Sequence, residues 1–508
     1  MKHRQVILSA ALAPSLVWAQ AWTGHAHDPQ HTGTSVVAAQ PLNSIHWQTP
    51  IDLSGAAGGN GLLFVHYGSP IITAGNTVIV PVTNSSGNYQ LEAFKGATGA
   101  ALYTVSSCIA SGCYTSPGLA WTPPYEATLS LGTRLYYPGP GGTIFYRTSP
   151  DSATGTVVQQ AFYGTALYNA NGGANQTAFN NSIQISTPLT ADRLGNIYFG
   201  YIVNGSNPAG LPGGGGLARV SISGVGTTVT ATSLSGDSGA PYIAFNCAPA
   251  LSVTQTTLYV ATATGGTLGT GYLTSLNAST LAPIAHVALN DPRGGVYGSA
   301  TVASITSATP MVGPDGDVYY GVLEGSCCTS HNDRGWMLHF SSALSPKTPG
   351  SFGWDNTASV VPSSAVPSYT GTSSYLILTK YNNYANANGN GVNKVAILDP
   401  NATMQDEYSS VAVTVMQEVI TVTGVTANPP LAGVKEWCIN TTAVDPVTKS
   451  AIINSEDGTV YRWDFTSNTL LQAISLTPGR GEAYTPTVIG PDGTAYAVND
   501  ATLFAVGR

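Results

Sequence analysis

A single motif recurs through this 508-residue chain at intervals of 48 to 71 residues. Each copy places an apolar strand near a Ser-Pro, Thr-Pro or similar start, turns tightly at Gly, and continues into a second strand rich in Val and Tyr. Gly-Asn and Asp-Gly turns favour hairpins because these residues accept a positive φ. The eight copies begin near Pro70, Pro124, Pro188, Pro249, Pro310, Pro367, Cys438 and Pro486.

The length of this repeat predicts the fold class. Such an interval suits one four-stranded antiparallel sheet with its loops, and this sheet buries both faces only by packing against neighbours around an axis. We therefore predict an all-β, eight-bladed β-propeller, with seven blades if the copy at Pro367 is an insertion. A β-solenoid fits less well because its repeats are about 20 to 30 residues long, and a two-sheet sandwich does not repeat so regularly.

The two ends of the chain are predicted to share the last blade. After Pro486 enough residues remain for three strands, the last of them at residues 503–506. Residues 45–48 are expected to supply the fourth strand from the N-terminal side. A shared blade joins the N-terminal and C-terminal strands and removes an open sheet edge.

Composition limits the partners of this chain. Only 8% of the residues are charged, Lys and Arg number 17, and the net charge is -8. A nucleic-acid partner would require a basic face, so this class is excluded. We expect the partner to be an extracellular protein, a glycan or a small molecule, and we expect the protein to be a monomer.

The first residues predict export from the cytoplasm. Lys2 and Arg4 precede the apolar residues 6–17, and small residues follow around Ala19, which is typical of a signal peptide over residues 1–19. No later apolar run reaches the roughly 18 residues that a membrane-spanning helix needs, so no membrane insertion is expected. Residues 20–508 are expected to form one propeller domain that is secreted or periplasmic.

Cysteines outside the cytoplasm tend to pair. Cys108 and Cys113 enclose a short turn, which predicts a local disulfide. Cys247 and Cys438 precede inner strands three blades apart, so the ring should hold them beyond the roughly 7 Å limit for a disulfide. We therefore predict that these two cysteines are not bonded to each other.

The repeat resembles that of pyrroloquinoline-quinone-like (PQQ-like) β-propellers. Residues 91–99 read Leu-Glu-Ala-Phe-Lys-Gly-Ala-Thr-Gly, and residues 393–399 look like a looser copy. Residues 22–33 are similar to the entry segment of many such secreted propellers. That superfamily includes quinone-dependent alcohol and sugar dehydrogenases as well as scaffold proteins without a cofactor, so the resemblance alone does not choose a function.

Propeller topology indicates where candidate site residues lie. The segments that enter the inner strands share one face with the loops between second and third strands, and this face surrounds the axial channel. The candidates on it are Glu126, Lys435, Glu436, Trp437 and Arg480. Carboxylates beside Lys or Arg can bind a polar ligand or transfer protons. Alternatively, these charges form ion pairs that hold neighbouring blades together.

A second candidate group lies in the loop at residues 324–334. It combines adjacent Cys327 and Cys328 with Asp333, and it also contains a His and an Arg. Adjacent cysteines resemble the disulfide that some quinoprotein alcohol dehydrogenases place against their cofactor. The resemblance implies PQQ with Ca²⁺, although the calcium-binding Glu and Asn of that family cannot be placed here. Alternatively, one or both thiols bond to a neighbouring loop.

Two further groups of residues could bind a metal ion or a sugar, but their sequence does not establish either role. His25, His27 and His31 contain a His-x-His pair that can hold a metal ion, but such an N-terminal arm is expected to be solvated. No metal site is predicted. The loop at residues 380–390 alternates Tyr with Asn, which suits stacking on sugar rings and hydrogen bonding to their hydroxyls.

Taken together, these patterns favour a secreted propeller that acts as a binding or scaffold module through its channel face. The alternative is a PQQ-dependent oxidoreductase that acts on an alcohol or sugar. Its catalytic candidates are Asp333, Glu436 and Arg480, and its cofactor contacts are Cys327, Cys328, Glu126, Lys435 and Trp437. A carbohydrate-binding propeller is the third hypothesis, and the sequence alone does not decide whether the chain is an enzyme.

Overall fold

The computed structural model describes residues 21–51, 68–114, 126–266, 268–304, 306–326, 329–479 and 485–508. These residues form eight antiparallel sheets that follow one another along the chain as the blades of a β-propeller. The predicted eight-bladed fold is therefore confirmed. We number the blades 1 to 8 by the position of their inner strands.

Blades 1 to 4 begin with a short inner strand and add strands outward in chain order. Blade 1 consists of Ile71–Ile72, Thr77–Thr83, Tyr89–Lys95 and Ala101–Ser106. Blade 2 consists of Thr128–Ser130, Arg134–Pro138, Thr143–Thr148 and Val157–Ala161. Blade 3 consists of Ile183–Ile185, Thr190–Ala191, Ile197–Val203, Gly214–Val220 and Gly226–Thr230, and blade 4 of Tyr242–Ile243, Ala250–Leu251, Thr257–Ala263, Gly271–Asn277 and Pro283–Ala288. In blades 3 and 4 the first two strands both pair with the long strand that follows them.

Blades 5 to 8 follow the same plan. Blade 5 consists of Met311–Val312, Val318–Val322 and Trp336–Phe340, and blade 6 of Ser359–Pro362, Tyr375–Tyr381, Lys394–Gln405 and Thr414–Thr423. Blade 7 consists of Ala443–Asp445, Ser450–Asn454, Thr459–Asp464 and Thr469–Ser475. Blade 8 consists of Val488–Ile489, Ala495–Asn499, Thr502–Gly507 and the N-terminal strand Ser44–Pro50. In blade 5 the fourth position is taken by residues 346–350, which bridge back to the third strand.

The remaining elements are short. The α-helices are Thr165–Tyr168, Ala174–Ser182 and Ala231–Ser235. The 3-10 helices are Pro140–Gly142, Asn171–Gly173, Gly295–Tyr297, Ser363–Ala365 and Ala385–Ala387. A small hairpin pairs Cys108–Ile109 with Gly112–Cys113, and the predicted disulfide between Cys108 and Cys113 is present. Among the described helices, none is long and apolar enough to cross a membrane.

The second strands explain why the sequence repeats as it does. Ile197–Val203 and Tyr375–Tyr381 are buried along their whole length, because both faces of each blade pack against neighbouring blades. A strand buried on two faces reads as a continuous apolar run, as Ile197–Val203 does, whereas Tyr375–Tyr381 is apolar except for Thr379 and Lys380. The core accordingly crosses blade boundaries: one cluster joins Tyr198 of blade 3, Leu258 of blade 4 and Val318 of blade 5.

Closure of the ring follows the predicted scheme. Ser44–Pro50 pairs antiparallel with Thr502–Gly507, with Gln48 opposite Phe504. The start predicted at Pro367 was wrong, since the inner strand of blade 6 is Ser359–Pro362. Residues 363–374 connect the first two strands of blade 6 through a 3-10 helix instead of a tight turn. The Pro that resembles a repeat start therefore lies in this connection, after the inner strand.

Residues 22–35, here called the N-terminal plug, run around the inside of the ring. Their backbone carbonyls accept hydrogen bonds of 2.7 to 2.9 Å from the second residue of six inner strands. The donating amides belong to Ile72, Leu129, Leu251, Val312, Val360 and Val444. An inner strand has no strand beside it on the channel side, so the plug supplies the partner that these N–H groups need.

Two of the three histidines of the plug, His25 and His31, are buried, and His27 is half-buried, so the expectation of a solvated arm was wrong. His25 is 4% exposed and His31 is 1% exposed. Nδ1 of His25 lies 3.0 Å from both carboxylate oxygens of Glu126, and Nδ1 of His31 lies 2.7 Å from the carbonyl oxygen of Pro310. The two rings meet edge to face, with their centroids 5.3 Å apart. These contacts fasten the plug to blades 2 and 5.

Gly33 should be the least replaceable glycine of the plug. It has a φ of +62°, and an added Cβ would lie 2.8 Å from Ser359 Oγ and 2.9 Å from the Thr442 carbonyl oxygen. We expect Gly33→Ala to lower the free energy of unfolding by about 2–4 kcal/mol, through left-handed strain and overpacking. Gly87→Ala is the matched control, because Gly87 also has a positive φ but nothing lies within 4 Å of its added Cβ. Equal losses in urea denaturation would contradict close packing of the plug.

His31 should make stability depend on pH. Burial, with a contribution from the neighbouring His25, lowers the pKa of His31 to about 3, against 6.5 for the free side chain. The unfolded chain therefore binds the proton first, and stability is lost as the pH falls below about 6.5. We expect His31→Asn, which tolerates the positive φ at this position, to reduce the loss between pH 7 and pH 4.5 by about 2 kcal/mol. The exposed His286 is the control, and His286→Asn should keep the full pH dependence.

Candidate functional site

The long connections of the propeller lie on one face, here called the channel mouth, where each inner strand begins. Residues 323–335 and 382–393 join second to third strands there, and residues 424–442 lead into blade 7. At the opposite end, residues 313–317 and 446–449 make tight turns. Long loops on a rigid scaffold are where binding residues concentrate, so the channel mouth is the candidate functional face.

Four side chains at the channel mouth form a charged group, here called the mouth cluster: Lys380, Glu436, Cys438 and Glu456. Glu436 and Cys438 lie just before the inner strand of blade 7, and Glu456 lies in the turn between its second and third strands. The Cys438 thiol lies 3.5 Å from Oε2 of Glu436 and 3.6 Å from Oε2 of Glu456. One ligand-type atom from each of these three residues falls within 4.8 Å of the others.

The two carboxylates of the mouth cluster hold protons more tightly than ordinary glutamates. Burial, followed by repulsion from Glu456, raises the pKa of Glu436 to about 7. Burial also raises the pKa of Glu456, and Lys435 opposes this shift. A carboxyl group that titrates near neutral pH can accept or release a proton, and it can exchange that proton for a bound cation.

Lys380 brings a buried positive charge to the same place. It lies near the end of the second strand of blade 6 and is 2% exposed. Its ammonium group acts electrostatically on both Glu436 and Glu456. Among the described residues its side chain has no hydrogen bond or ion pair, whereas its backbone carbonyl accepts from the Thr379 hydroxyl at 2.8 Å.

The neighbouring candidates Lys435 and Trp437 differ in exposure. Lys435 is half-buried, and its charge lowers the pKa of both carboxylates. Trp437 is 1% exposed, and its indole N–H donates to the Asn393 carbonyl oxygen at 3.2 Å. Its ring packs in the core that blades 6 and 7 share. A flat ligand at the channel mouth therefore does not reach the faces of this ring.

Glu126 belongs to the attachment of the plug. Its carboxylate meets His25 and also accepts a hydrogen bond of 2.9 Å from the backbone N–H of Ser69. The side chain is 4% exposed. The structure thus separates Glu126 from the mouth cluster and gives its carboxylate three contacts within the protein.

The loop of blade 5 is organised around Glu324. The carboxylate of this fully buried residue accepts hydrogen bonds from the backbone N–H groups of His331, Asp333 and Gly335 at 3.0 to 3.2 Å. The His331 ring stacks on Trp336 with centroids 4.0 Å apart, and its Nε2 lies 3.0 Å from Asp406. These contacts hold the loop in one conformation.

Asp333 and Arg334 take part in this loop rather than in the mouth cluster. The Asp333 carboxylate accepts a hydrogen bond of 2.6 Å from the Thr329 N–H, and burial raises the pKa of Asp333. The Arg334 guanidinium is fully buried and donates to the carbonyl oxygens of Ser351 and Asn382. The candidates Cys327, Cys328 and Arg480 lie outside the described residues. Cys247 and Cys438 are not bonded to each other, as predicted.

The two Tyr side chains of the loop at residues 380–390 turn inward with Asn382 and Asn383, whereas Asn386, Asn388 and Asn390 are exposed. Tyr381 is 1% exposed and Tyr384 is 6% exposed. Asn382 donates to the Tyr384 hydroxyl at 3.2 Å and to the Trp437 carbonyl oxygen at 3.1 Å. These rings and this amide are used inside the protein, so they do not offer the surface for sugar stacking that the sequence indicated.

The sequence predicts one of the four members of the mouth cluster, Glu436, as a site residue. Lys380 is part of the Tyr-rich and Asn-rich loop, and Cys438 enters only as a repeat start and as a cysteine not bonded to Cys247. Glu456 lies beside the Asp457-Gly458 turn and is not singled out. The topological rule that selected Glu436 also applies to Glu456, because turns between second and third strands face the channel mouth.

Comparisons with known proteins support the fold. No family model matches this chain, and no curated protein matches it. A europium-containing methanol dehydrogenase aligns with a TM-score of 0.54 at 10% identity, over 94% of this chain and 89% of that chain. Sqt1 of Saccharomyces cerevisiae aligns with a TM-score of 0.51 at 9% identity, over 93% and 100%. BamB from Moraxella catarrhalis aligns with a TM-score of 0.39 at 10% identity, over 92% and 97%. The predicted likeness to quinoprotein-type propellers is thus confirmed at the level of fold.

Repulsion within the mouth cluster yields a direct prediction. At pH 8, Glu436→Gln removes one of two neighbouring half-buried negative charges and keeps an acceptor near the Cys438 thiol. We expect the free energy of unfolding to rise by about 1 kcal/mol in urea denaturation. Glu418→Gln serves as the control: it breaks an ion pair of 3.0 Å with Lys394 and should lower stability by at most about 1 kcal/mol. A loss in Glu436→Gln would mean that attraction to the lysines exceeds the repulsion.

Proposed function

We propose that this protein is an exported binding propeller that holds a small polar ligand, or a polar segment of an extracellular protein, at its channel mouth. The observation that carries the proposal is the buried Lys380 side chain beside two half-buried carboxylates with raised pKa values. Buried charges reduce stability unless they are well paired, and a fold built on apolar blades does not need them. Such charges are typical of sites where a ligand completes the pairing.

Export is part of this proposal. The N-terminal pattern of residues 1–19 is typical of a signal peptide, and the disulfide between Cys108 and Cys113 suits a compartment outside the cytoplasm. A secreted or periplasmic location also agrees with an extracellular ligand. The propeller would act there as a monomer, as expected from its sequence.

A quinone cofactor fits the described residues poorly. PQQ is planar and carries several carboxylates, so its site needs cationic groups that do not already face carboxylates of the protein, and an open ring face. At the mouth cluster, Lys380 and Lys435 both act on Glu436 and Glu456. Trp437 is enclosed, and Glu126 is engaged by the plug. The neighbour described as a methanol dehydrogenase shares the fold at 10% identity and adds no support for an oxidoreductase.

A thermal-shift panel tests the binding proposal. We would titrate the purified protein with neutral sugars, amino acids, dicarboxylates, and PQQ with Ca²⁺. A ligand that binds only the folded state raises the melting temperature by mass action. At a ligand concentration of 100 Kd, the free energy of unfolding increases by roughly 2.7 kcal/mol. We expect a saturable shift with one of the first three classes. The double variant Lys380→Met/Glu436→Gln should not respond to it.

The double variant is the matched control for this panel. It removes one positive and one negative charge from the mouth cluster, and replacing buried ionic partners by neutral groups is often neutral or stabilising. It should therefore remain folded while losing the response. A shift with PQQ and Ca²⁺ together with dye-linked dehydrogenase activity would contradict the proposal and identify an oxidoreductase. No response to any of the first three classes would contradict a small-ligand site.

A further inference from the structure

The mouth cluster has the ligand types of a divalent-cation site. One carboxylate oxygen of Glu436, the Cys438 sulfur and one carboxylate oxygen of Glu456 all lie within 4.8 Å of one another. Sulfur and carboxylate ligands suit zinc and chemically similar ions, and three protein ligands leave a fourth position open. Calcium and magnesium prefer sites made of oxygen alone, so the thiol disfavours them.

Lys380 is a second observation, because its charge is not fully paired within the described residues. The side chain is 2% exposed, its charge acts on both carboxylates, and no described side chain is hydrogen-bonded to it. When Cys438 binds a metal, its thiolate joins the two carboxylates in an anionic ligand set that exceeds the charge of a divalent ion by one. Lys380 balances this excess, and the half-buried Lys435 adds a second positive charge beside the ligand set.

We infer that Glu436, Cys438 and Glu456 bind one divalent cation of the zinc class at the channel mouth. Binding replaces the thiol proton of Cys438, which leaves to solvent, with a metal–sulfur bond. The fourth coordination position is then available to a water or to a donor atom of a ligand. This inference rests on the proposed function, because the cation would be the group through which the mouth holds that ligand.

Cobalt is the probe for this site. Co²⁺ replaces Zn²⁺ in such sites, and a cobalt–thiolate bond produces a charge-transfer band in the near ultraviolet. We would titrate the purified, chelator-treated protein with CoCl₂ and then displace Co²⁺ with ZnCl₂. We expect one Co²⁺ per chain, a saturable charge-transfer band, and loss of that band when Zn²⁺ is added.

Three variants assign the band to its ligands. Cys438→Ser should abolish the charge-transfer band, and Glu456→Gln should keep the thiol while weakening Co²⁺ binding at least about tenfold. Cys247→Ser is the matched control, because Cys247 is also a buried thiol but lies before the inner strand of blade 4. It should leave both the band and the affinity unchanged. Since Glu456 lies in a partly exposed turn, Glu456→Gln should remain folded even if Cys438→Ser does not.

The outcomes separate this inference from the proposed function. Absence of the band would overturn the cation site. A band that persists in Cys438→Ser would also overturn it, because the sulfur ligand would then come from another cysteine. Affinity unchanged in Glu456→Gln would also overturn it. The spectrum is read without any organic ligand, so a missing band leaves the thermal-shift result standing. A clear band combined with no response in the panel would instead retain the cation site and reject the small-ligand proposal.

Discussion

The channel-facing edge of the inner strands is the constraint on which the rest of this propeller depends. Each inner strand is hydrogen-bonded on one side only, and an N–H group left unpaired inside a protein costs about 1–3 kcal/mol. The N-terminal plug meets this requirement by offering its carbonyls to the second residue of six inner strands. One segment thus contacts blades far apart in the sequence, from Ile72 to Val444, and couples their positions. The strand Ser44–Pro50 then closes blade 8, so the N-terminal region fixes the ring twice.

The plug runs along the inner strands, whereas the long loops gather at the channel mouth, where those strands begin. A chain with only 8% charged residues has few charges to place, and several of them lie in the loops of the channel mouth. The charged side chains of Glu324 and Arg334 form hydrogen bonds with backbone groups and hold a loop in one conformation. The carboxylates of the mouth cluster instead contact the Cys438 thiol, and burial, followed by repulsion from Glu456, raises the pKa of Glu436.

The sequence predicted the parts of this structure that depend on local chemistry. Ser-Pro starts, Gly turns and Val/Tyr strands are local signals, so seven of the eight predicted repeat starts lie near the start of an inner strand. The blade shared by the two ends of the chain was also predicted correctly. The start at Pro367 failed because blade 6 replaces the tight turn by residues 363–374. The role of the plug was missed for a different reason. Its partners are inner-strand amides spread over most of the chain, and no pattern within residues 22–35 encodes them.

The mouth cluster shows the same limit at the level of a site. Lys380 belongs to blade 6 and Glu456 to blade 7, and only the packing of these blades brings their charges together. At an effective dielectric constant of about 20, two like charges about 4 Å apart repel by roughly 4 kcal/mol, whereas a typical hydrogen bond contributes about 1 kcal/mol. The contacts of the Cys438 thiol with the two carboxylates are therefore too weak to offset this repulsion alone, and Lys380 and Lys435 supply opposing charge. The cation that we infer at this place would reverse the sign of the interaction.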